Sequence, residues 1–292
     1  MQSRALGPTA SQVSAVGFGG MPLSIEGRPP EPVAIATIHA ALDAGVTLVD
    51  TADVYCLSHL DLGHNERLIA AALKSWKGSR ESLVVATKGG MERPDGAWTR
   101  NGRPEHLFRA CDRSLKNLGV ERIQLYQLHA PDPQVPFRES IEALAELVRR
   151  GKVQWIGISN VSVAEIEEAR EIHPIQSVQN RLSPFFTEAL DDDLVQDCVA
   201  KGLSFLAYSP VGGGRLNKKL PDHPVVKRIA ERHHVSPHVV VLAWVRAQGS
   251  TVIPIPGART PEHARDSATA ADITLEGADL QAIDAAEFSI AR

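Results

Sequence analysis

The chain has 292 residues, 43% of them hydrophobic, and a formal net charge of −4 with both signs spread along it. That size and balance suit one large core and argue against a nucleic-acid or anionic-membrane partner. The three cysteines, Cys56, Cys111 and Cys198, are too few and too far apart for a disulfide framework or a zinc site, which points to a reducing compartment.

The N-terminus has no apolar signal region, and the longest apolar stretch, residues 239–245, is too short to span a bilayer, so a cytoplasmic protein is expected. Short segments at 4–6 and 12–13 flank a turn at Gly7-Pro8-Thr9 and predict a small hairpin capping the bottom of the fold. Eight short β-branched runs follow, at 14–18, 46–50, 83–87, 123–128, 153–158, 176–179, 203–207 and 251–255. They are mostly apolar on both faces, as parallel strands covered by helices must be.

Amphipathic stretches separate the runs. Residues 31–44 end at Gly45, residues 104–118 start with Pro104 and end at Gly119, and residues 137–150 carry two arginines before Gly151. Further helices are predicted at 163–172, 189–200, 224–233, 237–247 and 261–270, with a last helix at 277–288 packing outside. Eight strands in strict alternation with helices predict a single α/β domain over 1–292, a (β/α)8 TIM barrel, with a doubly wound open sheet as its rival.

In a barrel the active site lies at the C-terminal strand ends. Asp50 and, after a short turn, Tyr55 follow run two; Lys88 follows run three and His129 run four. Ser159-Asn160, Gln179-Asn180 and Tyr208-Ser209 end the next three, and Gly257-Ala258-Arg259 follows the last. Each has an ordinary structural role to play, but four of them together form a reagent. An ammonium beside a phenol lowers its pKa, a carboxylate keeps that ammonium charged, and a neutral imidazole can donate to a carbonyl oxygen.

These segments resemble the aldo-keto reductase superfamily. GVTLVDTADVY (45–55) with GHNERLI (63–69), VVATKGG (84–90) and IQLYQLHAPD (123–132) place Asp50, Tyr55, Lys88 and His129 on the family's catalytic positions. GKVQWIGISN (151–160), VQNRLSP (178–184), AYSPVGGG (207–214) and IPGARTPEHARDS (255–267) match its cofactor segments, and the motifs run in family order from about Val13 to Phe288. The resemblance implies that Ser159, Asn160 and Gln179 bond a nicotinamide carboxamide and that Tyr208 stacks on its ring. The rest of the implied cofactor site is Gly20, Met21, Asp50, Ser209, Pro210, Val211, Gly213, Gly257, Arg259, Thr260, His263 and Ser267. It implies an NADPH (NADP+)-dependent oxidoreductase reducing aldehydes or ketones to alcohols, with Tyr55 as general acid and a small-molecule carbonyl or alcohol as substrate.

Departures are Cys56 after the Tyr, where Gly is frequent, a longer polar loop to Gly63, Ser267 in place of Asn, and Gly257 where some branches carry Lys. Arg259 is the expected 2′-phosphate ligand, since its planar fork suits a phosphate. Trp98 is expected at the substrate mouth. Residues 212–214 predict a mobile flap, and 17–20 lack the full dinucleotide fingerprint. No metal is expected, because the histidines of residues 59–66 do not form a ligand pattern. Two other functions are set beside this one, a cofactor-sensing subunit with little turnover and a metal-dependent barrel hydrolase.

Overall fold

A computed structural model describes residues 1–9 and 11–291. A hairpin of β1 (Ser3–Ala5) and β2 (Gln12–Ser14) opens the chain and is antiparallel. Then come β3 (Phe18–Gly19), α1 (Glu31–Asp43), β4 (Leu48–Asp50), α2 (His64–Ser75) and β5 (Val84–Gly89). A second hairpin, β6 (Met91–Glu92) and β7 (Thr99–Arg100), lies in the loop before α3 (Pro104–Leu118). Next are β8 (Ile123–Leu128), α4 (Phe137–Arg149), β9 (Val153–Ser159), α5 (Val163–Ile172) and β10 (Ile175–Arg181). They are followed by α6 (Glu188–Asp191), α7 (Leu194–Lys201), β11 (Ser204–Tyr208), α8 (Gly213–Leu216), α9 (Pro224–His233) and α10 (Pro237–Ala247). The last elements are β12 (Val252–Pro254), α11 (Pro261–Thr269) and α12 (Gly277–Asp284).

The eight strands β3, β4, β5, β8, β9, β10, β11 and β12 lie side by side in chain order, each pair parallel. The ends meet: Gly17 N–H donates to Pro254 O and Gly19 N–H to Pro256 O, each at 2.9 Å, and Gly19 bridges Gly257. The sheet therefore closes into the expected (β/α)8 barrel rather than an open doubly wound sheet. Glycine is needed at 19, because a Cβ there would lie 2.8 Å from Ile255 O.

The first hairpin plugs the bottom. Leu6 is fully buried in one cluster with Leu48, Val84, Leu125, Leu206 and Ile253. Gly7 N–H donates to Ser204 Oγ at 2.7 Å, and Arg4 reaches Gly249 O at 2.7 Å and Arg246 O at 2.8 Å. A second core lies between barrel and helices, where strand faces such as Tyr126, Ile156 and Phe205 meet the apolar stripes of α3, α4, α7 and α10.

Several boundaries differ from expectation. The first barrel strand is two residues at 18–19 rather than 14–18, because Ser14 is taken by the hairpin and exchanges hydrogen bonds with Thr47. The helix expected at 189–200 is broken at Asp193, whose φ of 56° is left-handed. The last helix stops at Asp284, and Phe288 instead stacks on His223 with ring centroids 4.2 Å apart. Residues 213–216, which include most of the segment expected as a mobile flap, form one helical turn. Among the described residues no helix is long and apolar enough to cross a membrane.

Candidate active site

Barrel closure brings the polar strand ends around one cavity of about 790 Å³. Asp50 ends β4, Lys88 lies one residue before the end of β5, and His129 follows β8. Tyr55 is delivered by a turn at the end of β4, with Thr51 N–H on Ala86 O at 2.8 Å and Tyr55 N–H on Ala52 O at 3.2 Å. Lys88 is fully buried. Its Nζ donates to Asp50 Oδ2 at 2.6 Å, Thr51 O at 2.9 Å and Tyr55 Oη at 3.0 Å. An ammonium has three protons, so all are used, and the Tyr55 oxygen acts here as acceptor. The phenolic hydrogen is thereby left to point elsewhere.

His129 packs edge-on to Tyr55 with ring centroids 5.7 Å apart. Burial, aided by the Lys88 charge, holds its imidazole well below the usual range, so it is neutral at pH 7. Its buried Nδ1 has no partner among the described residues. Burial also lowers Lys88, opposed by Asp50. The expected lowering of the Tyr55 pKa is not found. Burial, with Asp50 next and then Tyr208, pushes the phenol well above its usual range. The physical reason is that Lys88 and Asp50 largely cancel at 2.6 Å, which leaves the cost of desolvating a phenolate.

Asp50 is held from a third side. Its Oδ1 accepts from Gln179 Nε2 at 2.8 Å and Gln127 Nε2 at 3.4 Å. Gln127 was not anticipated; it is one of two amides, with Gln124, in a mostly apolar run. Gln179, expected on a carboxamide, lines the cavity but spends its amide on Asp50. Ser159 Oγ donates to Gln179 O at 2.7 Å. Asn160, at a left-handed φ of 58°, donates to His129 O at 2.9 Å and accepts from Tyr208 Oη at 2.8 Å. These residues meet as expected, and they already cross-link one another.

Most of the remaining expected cofactor residues line the same cavity: Met21, Ser209, Pro210, Val211, Gly213, Gly257, Arg259, Thr260, His263 and Ser267. Gly20 does not. Its N–H donates to Asp50 O at 2.8 Å, and a Cβ there would meet Asn65 Oδ1 at 2.4 Å, so it faces away and its neighbour Gly19 lines the cavity instead. Lys218, also on the wall, had no sequence signal beyond its charge.

Arg259 is exposed and braces the loop after β3, with Nε on Pro22 O at 3.2 Å and Nη2 on Glu26 O at 2.8 Å. Its Nη1 has no hydrogen bond among the described residues. Thr260 caps α11, accepting from His263 N–H. Arg259, at the N-terminus of α11, and Lys218 contribute positive charge to the cavity wall, which Met91, Trp98, Tyr55 and His129 also line. A cavity with both aromatic and cationic lining fits a nicotinamide dinucleotide.

Other polar residues lie outside the barrel wall. Adjacent residues of a strand face opposite ways, so Thr87 points toward the helices when Lys88 points inward. Thr87 Oγ1 donates to Glu66 Oε1 at 2.7 Å. Nearby, Arg113 Nη2 donates to buried Asp53 Oδ2 at 2.7 Å. Burial, and next Glu66, push the Asp53 carboxyl up to about 7 against the pull of Arg113. His64 is taken by Ser24 Oγ at 2.8 Å, and no group of three or more potential metal ligands occurs among the described residues. Cys56 is raised to about 11 by burial, so its thiol is not an active nucleophile at neutral pH.

The comparisons with known proteins agree with this geometry. The family model for the aldo/keto reductase family matches residues 15–287. A Glycine max protein named "Probable aldo-keto reductase 1" is 35% identical over 309 aligned residues, covering 95% of this chain and 86% of that protein. A thermostable aldo-keto reductase solved with the inhibitor epalrestat superposes with a TM-score of 0.81 at 28% identity, covering 97% of this chain and 99% of the other. The glycerol dehydrogenase of Gluconobacter oxydans gives 0.82 at 26% identity, covering 97% and 94%. With the family model matched from the end of the first hairpin to beyond the last helix, this chain belongs to the aldo/keto reductase family.

Proposed function

We propose that this oxidoreductase reduces aldehydes or ketones to alcohols with NADPH, using Tyr55 as the proton donor. The observation that carries the proposal is the saturated Lys88 ammonium, which fixes Asp50 at 2.6 Å and Tyr55 at 3.0 Å on the wall of the cavity. Bound NADPH supplies the hydride. Lys88 occupies the Tyr55 oxygen as donor, so the phenolic O–H is free to donate into the cavity. The raised Tyr55 pKa keeps the phenol protonated at neutral pH, ready for the more basic alkoxide that develops during reduction. Neutral His129 orients the carbonyl oxygen through a hydrogen bond. Asp50, itself held by Gln179 and Gln127, keeps Lys88 in place. Arg259, Lys218 and the α11 N-terminus support the preference for NADPH over NADH through the 2′-phosphate.

Tyr55→Phe keeps the ring and removes the proton. Steady-state assays following NADPH absorbance over a panel of carbonyl compounds should show kcat reduced by about 100-fold or more, with the cofactor Kd nearly constant. Wild-type turnover by the variant would remove Tyr55 from the mechanism.

A further inference from the structure

The tetrad end of the cavity carries positive charge that the catalytic groups do not use. Trp98 stands there, its ring centroid 6.4 Å from those of both Tyr55 and His129. The Arg93 guanidinium stacks on Trp98, with Cζ 3.9 Å from the ring centroid. Arg93 is only 6% exposed and donates through Nη2 to Leu57 O at 3.1 Å, yet its buried Nε and Nη1 have no partner among the described residues. Arg100 lies on β7 opposite Met91 of β6, and both line the cavity. Among the described residues Arg100 makes neither a hydrogen bond nor an ion pair.

The nearby acids are otherwise engaged. Glu92 faces His106 at 3.3 Å and accepts from Asn101 at 3.1 Å. Asp132 accepts the N–H groups of Gly102 at 3.0 Å and Gln134 at 2.9 Å. Asp50 is paired with Lys88. A ligand in this end of the cavity therefore meets an aromatic wall backed by one cation and edged by another. Arg100 acts on the Asp132 carboxylate only through space, so its fork is open to bind a carboxylate through two charge-assisted hydrogen bonds.

We propose that the substrate is an aldehyde or ketone that also carries a carboxylate, the carboxylate held by Arg100 at the mouth beside Trp98 while the carbonyl faces Tyr55 and His129. This inference rests on the hydride-transfer function proposed above. Buried Arg93 strengthens the positive potential at Trp98, and Arg100 makes the contact.

The test compares 4-formylbenzoate with 4-formylbenzamide, a near-isostere without the charge, in NADPH-dependent reduction by the full chain. Wild type should favour the benzoate in kcat/KM by about tenfold, the low end for a charged hydrogen bond because Arg100 is solvent-exposed. Arg100→Met should bring the ratio to within about twofold of one, Arg100→Lys should keep part of it, and added salt should compress it. A wild-type ratio at or below one, or a ratio unchanged in Arg100→Met, overturns the proposal. If neither aldehyde is reduced, the hydride-transfer function fails for them, and calorimetric titration of both compounds into the NADP+-loaded protein decides the anion site separately. Tighter benzoate binding, lost in Arg100→Met, then supports the site, and equal binding of the two overturns it.

Discussion

Lys88→Met tests the site at its centre. Methionine is also a long unbranched side chain, so the main loss is the ammonium rather than volume. Asp50, 2% exposed, would keep the amides of Gln179 at 2.8 Å and Gln127 at 3.4 Å but lose its counter-ion at 2.6 Å. Deleting one member of a buried pair costs about 3–5 kcal/mol. The same change frees the Tyr55 oxygen from its 3.0 Å donor, so the phenolic proton is no longer directed into the cavity. Loss of a positioned general acid slows turnover by about 10²–10⁴, or roughly 3–5 kcal/mol of barrier. The expected result is a lower urea midpoint together with a kcat reduced by that factor, while the NADPH Kd changes by less than about threefold. Asp50→Asn combined with Lys88→Met removes both charges and should recover most of the stability but none of the turnover. Turnover close to wild type in Lys88→Met would refute the catalytic assignment. Full stability in the same variant would refute the buried-pair energetics.

Arg259→Ala should weaken NADPH binding by about tenfold, as for a lost charged hydrogen bond, and NADH by less, since the loop braced at Pro22 O and Glu26 O also loosens. Equal losses measured by fluorescence titration would assign Arg259 to the brace alone. Trp98→Ala should raise KM for bulky aromatic carbonyls about tenfold more than for small aliphatic ones; a uniform change would place Trp98 outside substrate recognition. Asp53, with a folded pKa of about 7 above its unfolded value, holds a proton in the native state that the unfolded state has released. Its contribution to stability is therefore fully present below the unfolded carboxyl pKa of about 4 and is lost as pH rises from there through about 7, with a slope of up to about 1.4 kcal/mol per pH unit. Asp53→Asn should flatten the profile of unfolding free energy between about pH 4 and 7, and parallel profiles for variant and wild type would count against the shift.

The barrel was legible because each strand is buried on both faces and each helix on one, so two periodicities alternate along the chain. The tetrad was legible because three of its members close apolar runs and the fourth follows by one short turn. What the sequence hid are partnerships across the barrel. Gln127 looks like one of two amides in IQLYQLH, and only the inward alternation of β8 brings it under Asp50. Asp53 and Arg113 are 60 positions apart, a separation that by itself suggests no pairing.

Arg259 shows the same limit more sharply. Local chemistry gave it a phosphate to bind, since it precedes a helix N-terminus. Barrel closure also sets it against the loop after β3, whose carbonyls at Pro22 and Glu26 lie 237 and 233 positions away. A guanidinium has five N–H donors, so Nη1 can still meet an anion while Nε and Nη2 hold the loop. Brace and phosphate ligand are then compatible roles of one side chain. The strength of the brace sets how firmly the loop lining the cavity is held before any cofactor arrives, which is why NADH, lacking the phosphate, should still feel the loss of Arg259.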